Sequence, residues 1–97
     1  MLFAVLCRDA AGADLARAKH LNEHKSYLQS QAGILVLGGA LTDQDNLPNG
    51  SLYIVNVKDS AAARQFSDAD PFARHGIFSE VIISSMRKSH WHPESAD

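Results

Sequence analysis

The arrangement of apolar residues along the chain predicts four strands. Two runs, Leu2–Cys7 and Ser51–Val57, are apolar at nearly every position, which is typical of a strand that is covered on both faces. Apolar runs at Ile34–Leu41 and Phe78–Met86 predict two more strands. Turn-forming residues are dense in Thr42–Gly50, so we expect a hairpin between the second and third strands.

Two helices are predicted between these strands. The first runs from Leu15 to about Ala32, because this stretch has no Gly or Pro and its apolar residues recur at helical spacing. Asp14 is placed to cap its start and Gly33 to end it. The second helix begins at Ser60, a favourable N-cap, and ends near Asp70, because a residue before proline avoids helical angles.

The segment Asp70–Gly76 predicts a further short helical turn. Asp70 is placed as its N-cap, Pro71 as its first residue and Gly76 just past its end. A capping role is a sufficient structural reason for the aspartate. It does not exclude catalysis, because one carboxylate oxygen can cap while the other orients an imidazole.

The element order is β-α-β-β-α-β, which is the ferredoxin-like arrangement. It predicts an α+β fold, with two helices on one face of a four-stranded antiparallel sheet. The other face is apolar as well, for example at Leu2, Leu6 and Ile54, and the chain has no third helix to cover it. We therefore expect a second copy to pack on that face as a homodimer. This domain spans residues 1–88, and residues 89–97 form a polar tail.

Composition narrows the class of protein. The 97 residues, 45 % hydrophobic and 21 % charged, suit one globular domain. The net charge is −2 with scattered basic residues, so we expect no nucleic-acid partner. No apolar run is long enough to cross a membrane, and Met1–Cys7 lacks the basic start of a secretion signal. A single cysteine, Cys7, cannot form an internal disulfide, which favours the cytoplasm.

His24 is the first candidate for chemistry, at the border of the apolar stripe of the first predicted helix. An imidazole suits proton transfer near neutral pH, although a half-buried histidine bonded to a backbone carbonyl is an equally simple interpretation. We expect no metal and no cofactor. An alternative is a metal site of His20, His24 and Asp70, because i, i+4 histidines occur in zinc sites. His90 and His92 of the tail could also bind a metal, as a poorer site.

Three segments together resemble the YciI-like, or YCII-related, family. They are His24–Leu28 with the pattern His-x-x-Tyr-Leu, Leu37–Leu41 with two glycines, and Asp68–Phe78 with Asp-Pro-Phe. The resemblance extends to about position 88. It implies a dimeric α/β barrel with a pocket that holds a His–Asp pair, which by position is His24 and Asp70.

Two functions of different classes follow from these residues. In the first, the protein is an enzyme in which His24, oriented by Asp70, moves a proton on a small cyclic or enolisable substrate. The step would be of the lyase, isomerase or dehalogenase type. In the second, the same pocket only holds a small ligand and Asp70 acts as a cap. Four residues are candidates for substrate binding: a cation, two strand glycines that allow close approach and an aromatic, namely Arg17, Gly38, Gly39 and Phe72.

Overall fold

The computed structural model describes residues 1–97 and confirms the α+β ferredoxin-like fold. Its four strands, all antiparallel to their neighbours, are β1 (Leu2–Asp9), β2 (Leu35–Thr42), β3 (Pro48–Asn56) and β4 (Phe78–Met86). Their order across the sheet is β2-β3-β1-β4. The two central strands are therefore the ones that the sequence makes apolar on both faces.

The first predicted helix is two helices in the structure. The structure has four α-helices: α1 (Asp14–Lys19), α2 (Leu21–Ser30), α3 (Ser60–Ala69) and α4 (Pro71–Arg74). Helices α1 and α2 correspond to the first predicted helix. His20 separates α1 from α2, with φ −102° and ψ 10°. The prediction of an unbroken helix was wrong because tertiary contacts of Arg17 and His20 outweigh the helix propensity of this stretch. None of the helices is long and apolar enough to cross a membrane.

Three predicted helix ends are displaced. Asp14 is the first residue of α1 and does not cap it. Gly33 lies beyond the residue that ends α2. The side chain of Asp59 accepts the Ala62 N–H at 2.9 Å, so Asp59 caps α3 and Ser60 lies inside the helix. Asp59 and Ser60 are both good caps, which explains the one-residue error at α3.

The hydrophobic core lies between one face of the sheet and the helices. Alternate residues of β1 and β3 meet two side chains of α3, and the set is Phe3, Val5, Cys7, Tyr53, Val55, Ala63 and Phe66. Val5 lies opposite Tyr53 of β3. This register brings a tyrosine into the core close to α2.

The other face of the sheet has no helix over it. Leu37 of β2 remains 59 % exposed, and Ile82 and Met86 of β4 are also exposed. The tail lies beside this face, and a groove of ≈ 390 Å³ is lined by Leu37 and Met86 together with Trp91 of the tail. In the single chain, the face is therefore an apolar surface open to water.

Candidate functional site

A buried histidine–carboxylate pair joins α2 to α4. His24 Nδ1 lies 2.7 Å from Asp70 Oδ1, and Asp70 is only 1 % exposed. The same Oδ1 accepts the Phe72 N–H at 2.9 Å, so the predicted N-cap is confirmed. The sequence allowed one oxygen for each role. Instead, Oδ1 serves both, and the buried Oδ2 has no hydrogen-bond partner.

The corner between α3 and α4 directs this carboxylate. Asp70 has the extended angles φ −63° and ψ 127°, as expected for a residue before proline. Pro71 then starts α4, and Gly76 follows its end with a φ of 69°, which glycine adopts without strain. The extended angles of Asp70 end α3 and the positive φ of Gly76 follows the end of α4, so α4 is a single short turn. The Asp70 side chain at its start contacts His24 of α2.

The imidazole of His24 is held on several sides. It stacks on the Phe72 ring, with the centroids 3.8 Å apart and the planes 2° from parallel. When Nδ1–H donates to Asp70, the lone pair of the imidazole is on Nε2. Nε2 lies 3.4 Å from the Tyr53 hydroxyl. Burial raises the pKa of that hydroxyl, so Tyr53 stays protonated and can donate a hydrogen bond.

Arg17 is a second buried polar group beside this pair. Its Nε donates to Asp9 Oδ2 at 2.8 Å, and its Nη2 donates to the Gly50 carbonyl at 2.8 Å and to Ser51 Oγ at 2.9 Å. The guanidinium carbon lies 4.8 Å from the centre of the Phe72 ring. Nη1 makes no hydrogen bond within the protein. One edge of a fixed guanidinium therefore remains available to donate.

A cleft of ≈ 210 Å³ collects most of the predicted site residues. Helices α1 and α2 and strands β2 and β3 supply its polar and glycine residues, which include Arg17, His24, Gly38, Gly39, Ser51 and Tyr53. Asp70 and Phe72 do not line it; they are buried and contact His24. A Cβ on Gly38 would lie 2.9 Å from Tyr53 Cδ1, so a side chain there would push the ring away. Glycine at this position lets Tyr53 pack against β2.

Sequence reasoning missed Tyr53 and Ser51 as site residues. Both lie in a strand that is otherwise read as core, where a tyrosine fits without any function. The signal that could have found Tyr53 is its position opposite Gly38 in the β2–β3 pairing. That pairing depends on a register shift between Leu35 and Leu37, which the apolar pattern does not contain.

A second group of histidines, which we call the rim cluster, consists of His20, Glu23 and His75. The two imidazole rings stack with centroids 3.6 Å apart. Glu23 faces both rings, with Oε1 2.9 Å from His20 Nδ1 and Oε2 3.6 Å from His75 Nε2. The hydrogen bond from His20 lowers the pKa of Glu23. His20 therefore does not join His24 and Asp70 in one group, contrary to the alternative metal site that the sequence suggested.

The remaining candidates carry no chemistry in this structure. Cys7 is buried in the core, and burial raises the pKa of its thiol to about 12, so the thiol stays protonated. His90 and His92 belong to no group of three ligating side chains, although His92 Nδ1 lies 3.7 Å from Glu94 Oε1.

The comparisons with known proteins agree with this fold. The model of the YCII-related domain matches residues 1–87. No curated protein matches the chain. Among solved structures, the chain is similar to 5-chloro-2-hydroxyhydroquinone dehydrochlorinase (TftG) from Burkholderia phenoliruptrix AC1100, in complex with 2,5-dihydroxybenzoquinone. The TM-score is 0.84 at 23 % identity, over 92 % of this chain and 96 % of that one.

A second structure has a weaker likeness. Protein Atu4242 from Agrobacterium tumefaciens matches with a TM-score of 0.56 at 19 % identity, over 96 % of this chain and 98 % of that chain. Both likenesses concern the fold. Because the family model covers nearly all of the sequence, the chain belongs to the YCII-related domain family.

Proposed function

We propose that this protein is an enzyme that removes a proton from a small cyclic substrate and expels a leaving group, in a dehalogenase type of elimination. His24 is the general base, Asp70 orients it, and Arg17 holds an oxygen of the substrate. The observation that carries the proposal is the 2.7 Å contact between His24 Nδ1 and Asp70 Oδ1 beside a cleft that His24 lines.

The His24–Asp70 contact supports proton transfer because it fixes the tautomer of the ring. With Nδ1–H donated to a buried carboxylate, the lone pair is on Nε2, where the Tyr53 hydroxyl lies 3.4 Å away and gives way to a proton of the substrate. Stacking on Phe72 restricts rotation of the ring. A base that is already oriented loses little freedom when the substrate binds, which favours the reaction.

Arg17 supports an anionic or enolic substrate. Asp9 and the two acceptors on Gly50 and Ser51 fix its guanidinium, and Nη1 is left without a partner. A guanidinium in this setting binds an oxyanion through a charge-assisted hydrogen bond. Negative charge that develops on a substrate oxygen after proton removal would be stabilised there.

The likeness to TftG supports a proposal for the substrate class. That protein is a dehydrochlorinase of 5-chloro-2-hydroxyhydroquinone, and its structure holds 2,5-dihydroxybenzoquinone. Both molecules are six-membered rings with several oxygens, of a size suited to a cleft lined by a base and a cation. We therefore extend the proposal to halogenated or otherwise substituted polyhydroxybenzenes.

The proposed step balances without an oxidant or a reductant. In the keto tautomer of the substrate, a hydroxyl proton has moved to the carbon that bears the halogen, so this carbon is tetrahedral and can lose halide. His24 Nε2 accepts a proton from another substrate O–H, the freed electron pair forms a new C=O bond, and a ring double bond shifts to the halogen-bearing carbon. The carbon–halogen bond breaks, and the halide leaves with its bonding electrons. The net change is loss of one hydrogen halide, with the proton released from His24 to water.

Chloride release from 5-chloro-2-hydroxyhydroquinone tests the proposal, with His24→Asn as the main variant. Asn offers an amide N–H near the position of Nδ1 and so keeps a donor for Asp70, but it has no base at the position of Nε2. We expect the wild type to release chloride and the variant to lose about 100-fold or more in kcat. His92→Asn, which removes a histidine from the tail, serves as the matched control.

Two results would contradict the proposed enzymatic function. His24→Asn with a kcat within threefold of the wild type would show that the imidazole does not transfer the proton. The second result is a wild type that does not release chloride, together with equal affinities of the wild type and His24→Asn for 2,5-dihydroxybenzoquinone. It would favour the ligand-binding function. Urea unfolding of each variant excludes loss of the fold as the cause.

We also propose that two copies pack through the uncovered sheet face. Leu37, Ile82 and Met86 are exposed there, and burial of such side chains stabilises association. Light scattering after gel filtration should give twice the 10.5 kDa mass of one chain. Ile82→Glu should shift the mass to one chain. A monomeric wild type at tens of micromolar would contradict the dimer.

A further inference from the structure

We propose that the rim cluster of His20, Glu23 and His75 is a binding site for a divalent transition-metal ion of the zinc class. The site is separate from the cleft, and it does not depend on the proposed enzymatic function. It offers two imidazole nitrogens and one carboxylate, which is a donor set that zinc accepts in proteins.

The distances are close to those of a metal site. One ligand atom from each of the three side chains lies within 4.8 Å of the other two. Zinc bonds to these donors are about 2.0–2.2 Å long, so tetrahedral ligand atoms lie about 3.4 Å apart. The pair His20 Nδ1 and Glu23 Oε1, at 2.9 Å, is already closer than that. Because the two imidazoles are stacked only 10° from parallel and an ion lies in the plane of each ring that binds it, His75 has to rotate out of the stack to become the third ligand.

The three side chains differ in how firmly the protein holds them, which suits a movement of two of them towards an ion. His20 is only 15 % exposed and is the fixed ligand, whereas Glu23 and His75 are 56 % and 41 % exposed. The exposed pair can rotate towards an ion from solvent without disturbing the core. Water can fill the fourth position of the tetrahedron, because the cluster lies at the surface.

Besides this movement of the side chains, metal binding needs a lone pair on each ring nitrogen that faces Glu23. In the structure, His20 Nδ1 and His75 Nε2 both face the carboxylate of Glu23. A neutral imidazole whose proton moves to its outward nitrogen presents a lone pair to the same place. The ion then takes the place of the proton between His20 Nδ1 and Glu23 Oε1, and the carboxylate compensates part of its charge.

The position of the cluster gives the ion a structural consequence. Glu23 directly precedes His24 on α2, and His75 follows α4, whose N-cap is Asp70. An ion bound to both elements therefore fastens the helix that carries His24 to the turn that carries Asp70. A ligand that binds only the folded chain stabilises it, so zinc should raise the unfolding temperature.

Calorimetric titration of EDTA-treated protein with ZnCl₂ tests the site, with thermal unfolding as a second measurement. We expect one ion per chain in the wild type, a raised Tm, and no comparable response to MgCl₂, because a hard cation prefers oxygen ligands. His75→Gln and His20→Gln should each weaken zinc binding by about tenfold or more. The double variant His90→Gln, His92→Gln removes the tail histidines and should bind zinc as the wild type does.

Three outcomes would overturn the site. The first is a wild type that does not bind zinc in this titration. The second is His75→Gln with wild-type affinity, and the third is loss of binding in the tail double variant. The far-ultraviolet circular dichroism of each metal-free variant shows that it is folded. Because no step requires turnover, failure of this test leaves the proposed enzyme untouched, and the converse also holds.

Discussion

Two histidine–carboxylate pairs lie next to each other in this protein and differ in their surroundings. His24 and Asp70 are buried, at 2.7 Å, with the imidazole stacked on an aromatic ring. His20 and Glu23 meet at a similar 2.9 Å, but their carboxylate faces solvent. Similar contact distances therefore occur in two environments. The energetic and chemical consequences should differ because water screens and competes for the second pair but not for the first.

The comparison also shows how each pair is placed. The buried pair joins residues 46 positions apart, and it forms because the corner before α4 turns the Asp70 side chain towards α2. The exposed contact joins residues only three positions apart, namely the residue between α1 and α2 and a residue in the first turn of α2. A long-range contact that is buried depends on the whole fold. A contact this local depends only on the backbone around it.

The largest loss in the free energy of unfolding should follow removal of Arg17, the buried cation beside His24 and Asp70. Arg17→Ala leaves the Asp9 carboxylate buried without its partner at 2.8 Å, and breaking a buried pair in this way costs about 3–5 kcal/mol. Urea unfolding measures the loss. The double variant Asp9→Leu, Arg17→Met should lose less than Arg17→Ala, because no charge remains unpaired. A loss below about 1 kcal/mol in Arg17→Ala would contradict the burial argument.

A smaller loss in the free energy of unfolding should follow removal of the Asp70 carboxylate. Asp70→Ala removes the cap of α4 and leaves the Nδ1–H of His24 without an acceptor, so we expect a loss of about 2–3 kcal/mol. Asp70→Asn keeps an oxygen in the position of Oδ1 and should lose less. If Asp70 also orients the base, Asp70→Ala should lose chloride release, whereas Asp70→Asn, which keeps an acceptor for Nδ1–H, should retain more of it. Asp70→Ala with wild-type turnover would reduce Asp70 to a cap.

The sequence predicted the frame of the fold because its signals are local. Apolar runs predicted the strands, and the residues around Asp70-Pro71 predicted a capped turn that the structure confirms. The break at His20 could not be predicted, since no Gly or Pro marks it. Arg17, before the break, contacts β3, and His20, at the break, stacks on His75. Both contacts are tertiary, so the local sequence does not contain them.

The candidate site was predictable only in part, for the same reason. Family resemblance pointed to His24 and Asp70, whereas Tyr53 and Ser51 enter the cleft through strand register. The rim cluster needs the chain to return at His75, four residues after α4 begins. No spacing along the sequence connects residue 75 with residue 20. Such sites require the fold before they can be seen.

The smallest effect should follow removal of the exposed carboxylate. In metal-free protein, Glu23→Ala breaks contacts that water replaces at little cost, so the urea midpoint should stay within experimental error of the wild type. Asp70→Ala, measured in parallel, provides the buried counterpart. A shift for Glu23→Ala as large as that for Asp70→Ala would show that exposure does not separate the two pairs. With ZnCl₂ present, the same variant should differ from the wild type, because its third metal ligand is missing.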